Sequence, residues 1–371
     1  MKLKIKRTIL LDALNNVSKA LSTKNIIPIL SGIKFELFKD RLIVTASDND
    51  ITIQTVIDKS EDLVIESTGN IVIKGKYVLD IIRKLDSEFI NIETIDDHKI
   101  MIFTDNSEFN LNGIDAKEYP DINLDLSDDF AEMTTSDFKT MISQTNYACS
   151  IDEARIVLTG VNLKINKNLL ECSATDSYRL SLRKYKLDKK VNNDIDIIIP
   201  SKNLNELMKL LYSSEDKIEL HFFSNKIIFK FNNIVFQSRL INGTYPNTKN
   251  LIPTESLFEL QLNTNEFYNM VDRASILNDD NDNNIVTLEI KNKLMKITSM
   301  SLEIGKVEEK MNINCSDEIK ISFSAKYMMD ALKTIKSDEV ILTFVGEIKP
   351  ILLKNSDNDD LISLILPIRT Y

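Results

Sequence analysis

The residue types that most often do chemistry near neutral pH are sparse in this chain. There are two histidines, His98 and His221, and three cysteines, Cys149, Cys172 and Cys315. Each histidine sits in a strand-like segment with no partner at metal-ligand spacing. The cysteines are scattered and odd in number, so they suggest neither a zinc site nor a disulfide framework. Gly75-Lys76 lacks the preceding glycine and the following Ser or Thr of a phosphate-binding loop, and no GxGxxG or GxSxG run occurs. The acidic run at residues 278–284 invites a calcium reading, but it lacks the central Gly and distal Glu of an EF-hand loop. A solvated loop is the better reading. Asp48 and Asp176 occupy matching places in two similar segments, which suits a turn role more than catalysis. These residues point away from an enzyme, and no cofactor or metal is expected.

The elements that must position any site are repeated. Ile29-Leu-Ser-Gly-Ile-Lys-Phe-Glu-Leu leads to Asp48, and Val157-Leu-Thr-Gly-Val-Asn-Leu-Lys-Ile leads to Asp176. Gly32 and Gly160 are 128 residues apart, as are the two aspartates. A weaker third copy begins at Val286. A second signature, Lys76-Tyr-Val-Leu-Asp-Ile-Ile-Arg-Lys-Leu85, recurs from Lys202 and again from Lys326, at spacings of 126 and 124. Each copy is followed by a polar turn and a strand-like run. Repeats of one unit in register determine the whole architecture.

Within each unit the pattern predicts an amphipathic helix, short alternating strands, a second helix and more strands. The helices are expected over residues 7–21, 74–86, 136–147, 200–212, 264–278 and 324–336, with Ser136 and Thr264 as N-caps. The fold class is α+β: three repeated domains, each with two helices packed on antiparallel sheets. Their boundaries are read as 1–122, 128–250 and 254–371, at joints rich in Pro, Asp or Ser.

Composition leaves a tension. The net charge is −10, whereas nucleic-acid binders usually carry a basic footprint. Yet the six expected helices sum to +5 and the rest of the chain to −15. A surface made of those helices would attract phosphate without reading sequence. The longest apolar runs are far shorter than a membrane span, and the basic N-terminus lacks the apolar stretch of a signal peptide. A reducing cytoplasm is the expected location, with no membrane partner. A competing reading is a monomeric ligand-binding or enzymatic α+β protein with three related domains. The missing catalytic motifs weigh against it.

Several segments carry a family resemblance that covers essentially the whole chain: Ile27-Pro-Ile-Leu30, Thr175-Asp-Ser-Tyr-Arg-Leu180, Gly243-Thr-Tyr-Pro246 and Leu366-Pro-Ile-Arg369. With the triplication and the length, they resemble the bacterial DNA polymerase III beta subunit, the beta sliding clamp family. The resemblance implies a ring-shaped processivity factor. Two chains join head to tail as a homodimer around double-stranded DNA, helices lining the hole, in the nucleoid-associated cytoplasm. It implies partners, namely the replicative polymerase, the clamp loader and other proteins carrying a clamp-binding peptide. It places DNA contacts at Lys24, Lys76, Lys202 and Lys326.

The same resemblance places the peptide pocket between the second and third domains. Its deeper subsite would use Leu158, Thr175, Ser177, Tyr178, Arg179, Leu180, Pro246, Leu251, Leu364 and Leu366. The neighbouring subsite would use Ser324, Tyr327, Ile348, Pro350, Pro367, Ile368 and Arg369. Tyr178 stands where some relatives have His, and Asn250 where many have a basic residue. The dimer seam would pair Phe109 and Leu111 on an edge strand with Ile276 and Leu277 at a helix end. Glu108 there replaces a residue that is basic in some relatives. The backbone near Leu366 and Ile368 is expected to be open to an incoming extended peptide, since Pro367 cannot continue a ladder.

Overall fold

The structure, a computed structural model, describes residues 1–21, 27–96, 98–212, 215–277, 284–301 and 303–369. Lys24 and residues 278–283 of the acidic run lie outside the described residues. The described chain contains six α-helices: α1 (Arg7–Val17), α2 (Gly75–Lys84), α3 (Thr135–Asn146), α4 (Ser201–Met208), α5 (Thr264–Ala274) and α6 (Ala325–Leu332). They alternate with short antiparallel strands, and each repeat runs strand, helix, strands, helix, three strands. The α+β class follows directly.

Local chemistry explains the helices. In α2 the buried positions Val78 and Ile82 fall on one stripe while Lys76 and Tyr77 face water. Arg83 and Lys84 close its last turn, where cations suit the helix dipole. The helices are shorter than the sequence pattern suggests, and this changes the charge argument. The residues inside the six helices sum to only +1, so most of the positive bias sits in the flanking turns. Two caps also differ. Asn263, not Thr264, caps α5 by accepting the Glu266 N–H at 3.0 Å. Thr264 begins the helix, and its hydroxyl donates to the Ser337 carbonyl at 3.0 Å. Helix α3 starts at Thr135, so Ser136 lies within its first turn. In both cases a paired strand, Phe130–Thr134 or Phe258–Asn263, runs directly into the helix, and tertiary pairing decides the boundary.

The chain forms two compact units: residues 1–136 with 202–240, and residues 137–201 with 241–371. In the first unit an eight-stranded sheet runs in the order Phe130–Thr134, Lys217–Phe222, Lys226–Phe231, Ile234–Arg239, Ile51–Asp58, Arg41–Ser47, Gly32–Leu37 and Gly69–Lys74. A five-stranded sheet ends on the edge strand Glu108–Asn112. Helices α1 and α2 pack on each other, and α1 packs on Arg41–Ser47 and Ile51–Asp58.

In the second unit an eight-stranded sheet runs in the order Ile195–Pro200, Gly160–Asn166, Leu169–Thr175, Arg179–Lys186, Leu361–Ile365, Ile351–Asn355, Glu339–Phe344 and Phe258–Asn263. A four-stranded sheet ends on the edge strand Gly305–Asn312. Alternation is clean in Ile285–Lys291, where Val286, Leu288 and Ile290 are buried and their neighbours are not. Those side chains join Phe267, Met270 and Val271 of α5 and Met328 and Leu332 of α6 in one core. Each such side chain stabilises the fold by about 1.5–3 kcal/mol.

One pairing rule joins the repeats. In the first unit Ile51–Asp58 pairs antiparallel with Ile234–Arg239, the last strand of the next repeat. In the second unit Arg179–Lys186 pairs with Leu361–Ile365 in the same way. These joints split the central repeat between the units. Among the described residues, the corresponding strand of the third repeat, Gly305–Asn312, and the last strand of the first, Glu108–Asn112, have no such partner and stand at sheet edges.

Candidate functional site

The segment Thr175–Leu180 in the second unit forms a tight, self-bonded turn. Asp176 Oδ1 accepts the N–H groups of Tyr178 and Arg179, both at 2.9 Å. Thr175 Oγ1 donates to the Arg179 carbonyl at 2.6 Å and accepts the Ser177 N–H at 3.1 Å. Ser177 takes a left-handed backbone, φ 79°, a conformation stabilised here by these local bonds. Asp48 makes the same turn in the first repeat, accepting the N–H groups of Asp50 and Ile51 at 2.7 Å. The turn role expected of both aspartates is what the structure shows.

The turn drives Tyr178 outward, 62% exposed, and Arg179 inward. The Arg179 guanidinium reaches Asp176 at 3.0 Å and Asp330 of α6 at 2.7 Å. It lies over the rings of Tyr327, 4.4 Å away, and Tyr147, 5.4 Å away. This charge-assisted, stacked arrangement suits a planar guanidinium and not an ammonium. Burial pushes the phenols of Tyr147 and Tyr327 above their ordinary range. Arg179 is thus a pin between the turn and α6, and no cofactor role is needed to explain it.

The apolar residues divide into closed and open sets. Leu180 and Leu364 face each other on one ladder rung and close a cluster with Leu352. Leu158 packs with Ile198 and Tyr245, whose hydroxyl accepts the Thr175 N–H at 3.0 Å. Pro246 follows, half-buried. Leu366, Pro367, Ile368, Arg369 and Ile348 line a groove of about 580 Å³ with Lys320, Ser322 and Glu347. Leu251 and Pro350 line an adjoining groove of about 520 Å³ with Leu257. Ile348, Leu251 and Leu257 are at least half exposed. Ser324 caps α6, its hydroxyl accepting the Tyr327 N–H.

One expectation fails. The Leu366 N–H is already donated to the Tyr178 carbonyl at 2.9 Å, and the Ile368 N–H to the Ser322 carbonyl at 2.7 Å. Pro367 ends the ladder, but the chain turns its flanking donors onto protein acceptors. Asp330, Tyr147 and Lys320 escaped the sequence reading, as did the contact of Asp176 with Arg179. Asp330 had a signal: it holds the place of Asp80 in the Lys-Tyr-x-x-Asp repeat.

The remaining candidates fall elsewhere. Lys76, Lys202 and Lys326 are exposed in the first turns of α2, α4 and α6, and Lys202 is paired with Asp50. Phe109 and Leu111 are half-buried on the edge strand Glu108–Asn112. Ile276, 71% exposed, and Leu277 follow α5. His221 is buried between the Ser127 carbonyl and Glu219, at 2.9 and 3.0 Å, a structural placement. The three cysteines are buried and free. Among the described residues no group of three or more His, Cys, Asp or Glu could hold a metal ion. No described helix is long and apolar enough to cross a membrane.

Comparison with known proteins agrees across the whole chain. Family models for the DNA polymerase III beta subunit match as N-terminal domain at residues 1–125, central domain at 132–247 and C-terminal domain at 249–369. The structure superposes on the DNA polymerase sliding clamp of Bacillus subtilis with a TM-score of 0.97, at 39% identity and 100% coverage of both chains. It superposes on the beta subunit of Streptococcus pyogenes DNA polymerase with 0.94, at 33% identity and 100% coverage of both. The fold class is therefore that of the sliding clamps. A beta sliding clamp from Staphylococcus epidermidis is 42% identical over 377 residues, covering all of both chains. The chain belongs to the DNA polymerase III beta subunit family, the bacterial beta sliding clamps.

Proposed function

We propose that this sliding clamp closes head to tail with a second copy around duplex DNA, as a processivity factor without catalysis of its own. The carrying observation is the pairing rule. Two repeat joints are made within the chain, and the strands for a third, Gly305–Asn312 and Glu108–Asn112, are left at open edges. Different patches that seek each other give heterologous contacts, which close into a ring when the rotation allows. Phe109 and Leu111 would meet Val307 and Met311, half-buried on the other edge, with Ile276 and Leu277 alongside. The three repeats would serve as domains 1–122, 128–250 and 254–371. Lys76, Lys202 and Lys326, with Lys24, would contact phosphate, and the ring would hold DNA by topology. The chain would act in the cytoplasm, at the nucleoid.

The two adjoining grooves would take the clamp-binding peptide of the polymerase, the clamp loader and other partners. Ile348, Leu366 and Ile368 offer apolar anchors beside Arg369. With the Leu366 and Ile368 donors engaged, side chains rather than added ladder bonds would carry the affinity. Light scattering tests the ring, which requires twice the 42.4 kDa chain mass. Deleting the chain from Leu366 onward tests the grooves. A labelled polymerase-derived peptide should lose binding in fluorescence anisotropy while the dimer persists. Unchanged peptide affinity in a folded, dimeric truncation refutes the groove assignment and leaves the ring standing.

A further inference from the structure

The joint in the first unit repeats the architecture of the joint in the second, at its turn, its buried set and its ladder. Ser47–Asp50 makes the turn that Thr175–Tyr178 makes. Tyr119-Pro120 stands where Tyr245-Pro246 stands. The buried set Ile29, Leu30, Val72 and Tyr119 matches Val157, Leu158, Ile198 and Tyr245. The ladder registers agree as well: Thr52 faces Gln237 on the rung where Leu180 faces Leu364. A cavity of about 320 Å³ opens there, lined by Ile27, Leu30, Ile122, Lys226, Gln237 and Arg239 among others.

The framework is repeated and the chemistry is not. The apolar rung has become Thr52–Gln237, and Arg239 stands in the place of Leu366. The acidic side chains on the turn are committed: Asp48 accepts two backbone N–H groups, and Asp50 pairs with Lys202. Of the two cations, Lys226 Nζ donates to the Asn123 carbonyl, lies over the Phe223 ring and feels the Asp125 carboxylate, while burial lowers its pKa. Arg239 is exposed, and among the described residues it forms no ion pair. Asp121 stands exposed at the rim. Apolar surface persists beside the cations, with Ile27 42% exposed and Ile122 half-buried.

We propose that this cavity is a second docking pocket, for a partner-protein peptide segment that carries an acidic side chain next to an apolar one. The acidic group would sit between Arg239 and Lys226, and the apolar one over Ile27, Leu30 and Ile122. The volume is at the small end of ligand pockets, about 300–1,000 Å³, so the occupant is a short segment. The reading rests on the repeat and the cavity, and stands whether or not the other grooves bind peptide.

The test uses the whole protein with methyl-labelled isoleucine. Ile27 and Ile122 report on this cavity, and Ile348 and Ile368 on the other groove. The probes are acetyl-Leu-Glu-Leu-Glu-amide and its neutral counterpart acetyl-Leu-Gln-Leu-Gln-amide. The Ile27 and Ile122 signals should shift saturably with the acidic probe. The neutral probe, or the Arg239→Gln variant, should bind about fivefold or more weakly, as expected for loss of a charge-assisted contact. Arg239 holds the fold through its backbone, whose N–H donates to the Asp50 carbonyl, whose carbonyl accepts the Ser238 hydroxyl and which pairs with Lys226 on the ladder, so Arg239→Gln leaves the turn intact. The proposal is overturned if the acidic probe shifts only Ile348 and Ile368 or nothing at all. Equal binding of the neutral probe, indifference to Arg239→Gln, or shifts caused by a short DNA duplex and not by the peptide overturn it equally.

Discussion

Replacing Arg179 by Met keeps most of the stem and removes the fork, so the loss reads electrostatics more than packing. The Arg179 side chain is 10% exposed, that of Asp176 11% and that of Asp330 27%. Removing one member of a buried ion pair costs about 3–5 kcal/mol, because the surviving charge is left without a counterion. Asp176 keeps two backbone N–H donors, and Asp330 is partly hydrated, so the lower end applies. Loss of the stacked contact with Tyr327 adds about 0.5–1 kcal/mol. The expected destabilisation is about 3–4 kcal/mol, read from urea unfolding at constant slope by circular dichroism. If much of the cost is an orphaned carboxylate, Arg179→Met with Asp330→Asn should be more stable than Arg179→Met alone, by about 1–2 kcal/mol. A double variant as unstable as the sum of the two single losses refutes the account, as does a loss below about 1 kcal/mol in Arg179→Met.

Phe109→Ala should weaken self-association by about 3–5 kcal/mol if the edge packs well against a second copy. A dimer that survives at nanomolar concentration by light scattering removes Phe109 from the seam. Lys76→Gln and Lys326→Gln should each reduce the salt slope of DNA binding by about 0.9. Lys202→Gln should do less, because Asp50 already holds that ammonium. Burial pushes the thiols of Cys149 and Cys172 up to about 12, against about 8.5 in an unfolded chain. A raised folded pKa means stability is fully present below the unfolded value and lost as pH rises toward the folded one. The urea midpoint should therefore fall above about pH 8.5, and less so in a Cys149→Ala, Cys172→Ala variant.

Much of the candidate site was legible because it lies in short contiguous segments. Thr175–Leu180 and Leu366–Arg369 are each continuous in sequence, and local hydrogen bonds fix the first of them. Arg179's role was not legible, since its partners Asp330 and Tyr327 are about 150 residues away along the chain. The donors of Leu366 and Ile368 misled for the same reason: their acceptors, Tyr178 and Ser322, come from other elements.

The sequence by itself determined the three-fold repeat, the α+β class and the scarcity of catalytic residues, because periodicity and residue type are local properties. It also determined the turn role of Asp48 and Asp176, whose acceptor atoms reach only two or three residues ahead. Tertiary structure alone decided where helices stop, since the positive bias of the expected helices proved to lie mostly in their flanking turns. It also decided which strands find partners. Register between strands of different repeats depends on packing across the sheet and not on neighbours in sequence. That register puts Leu180 opposite Leu364 at one joint and Thr52 opposite Gln237 at the other, giving one repeated framework two different surfaces.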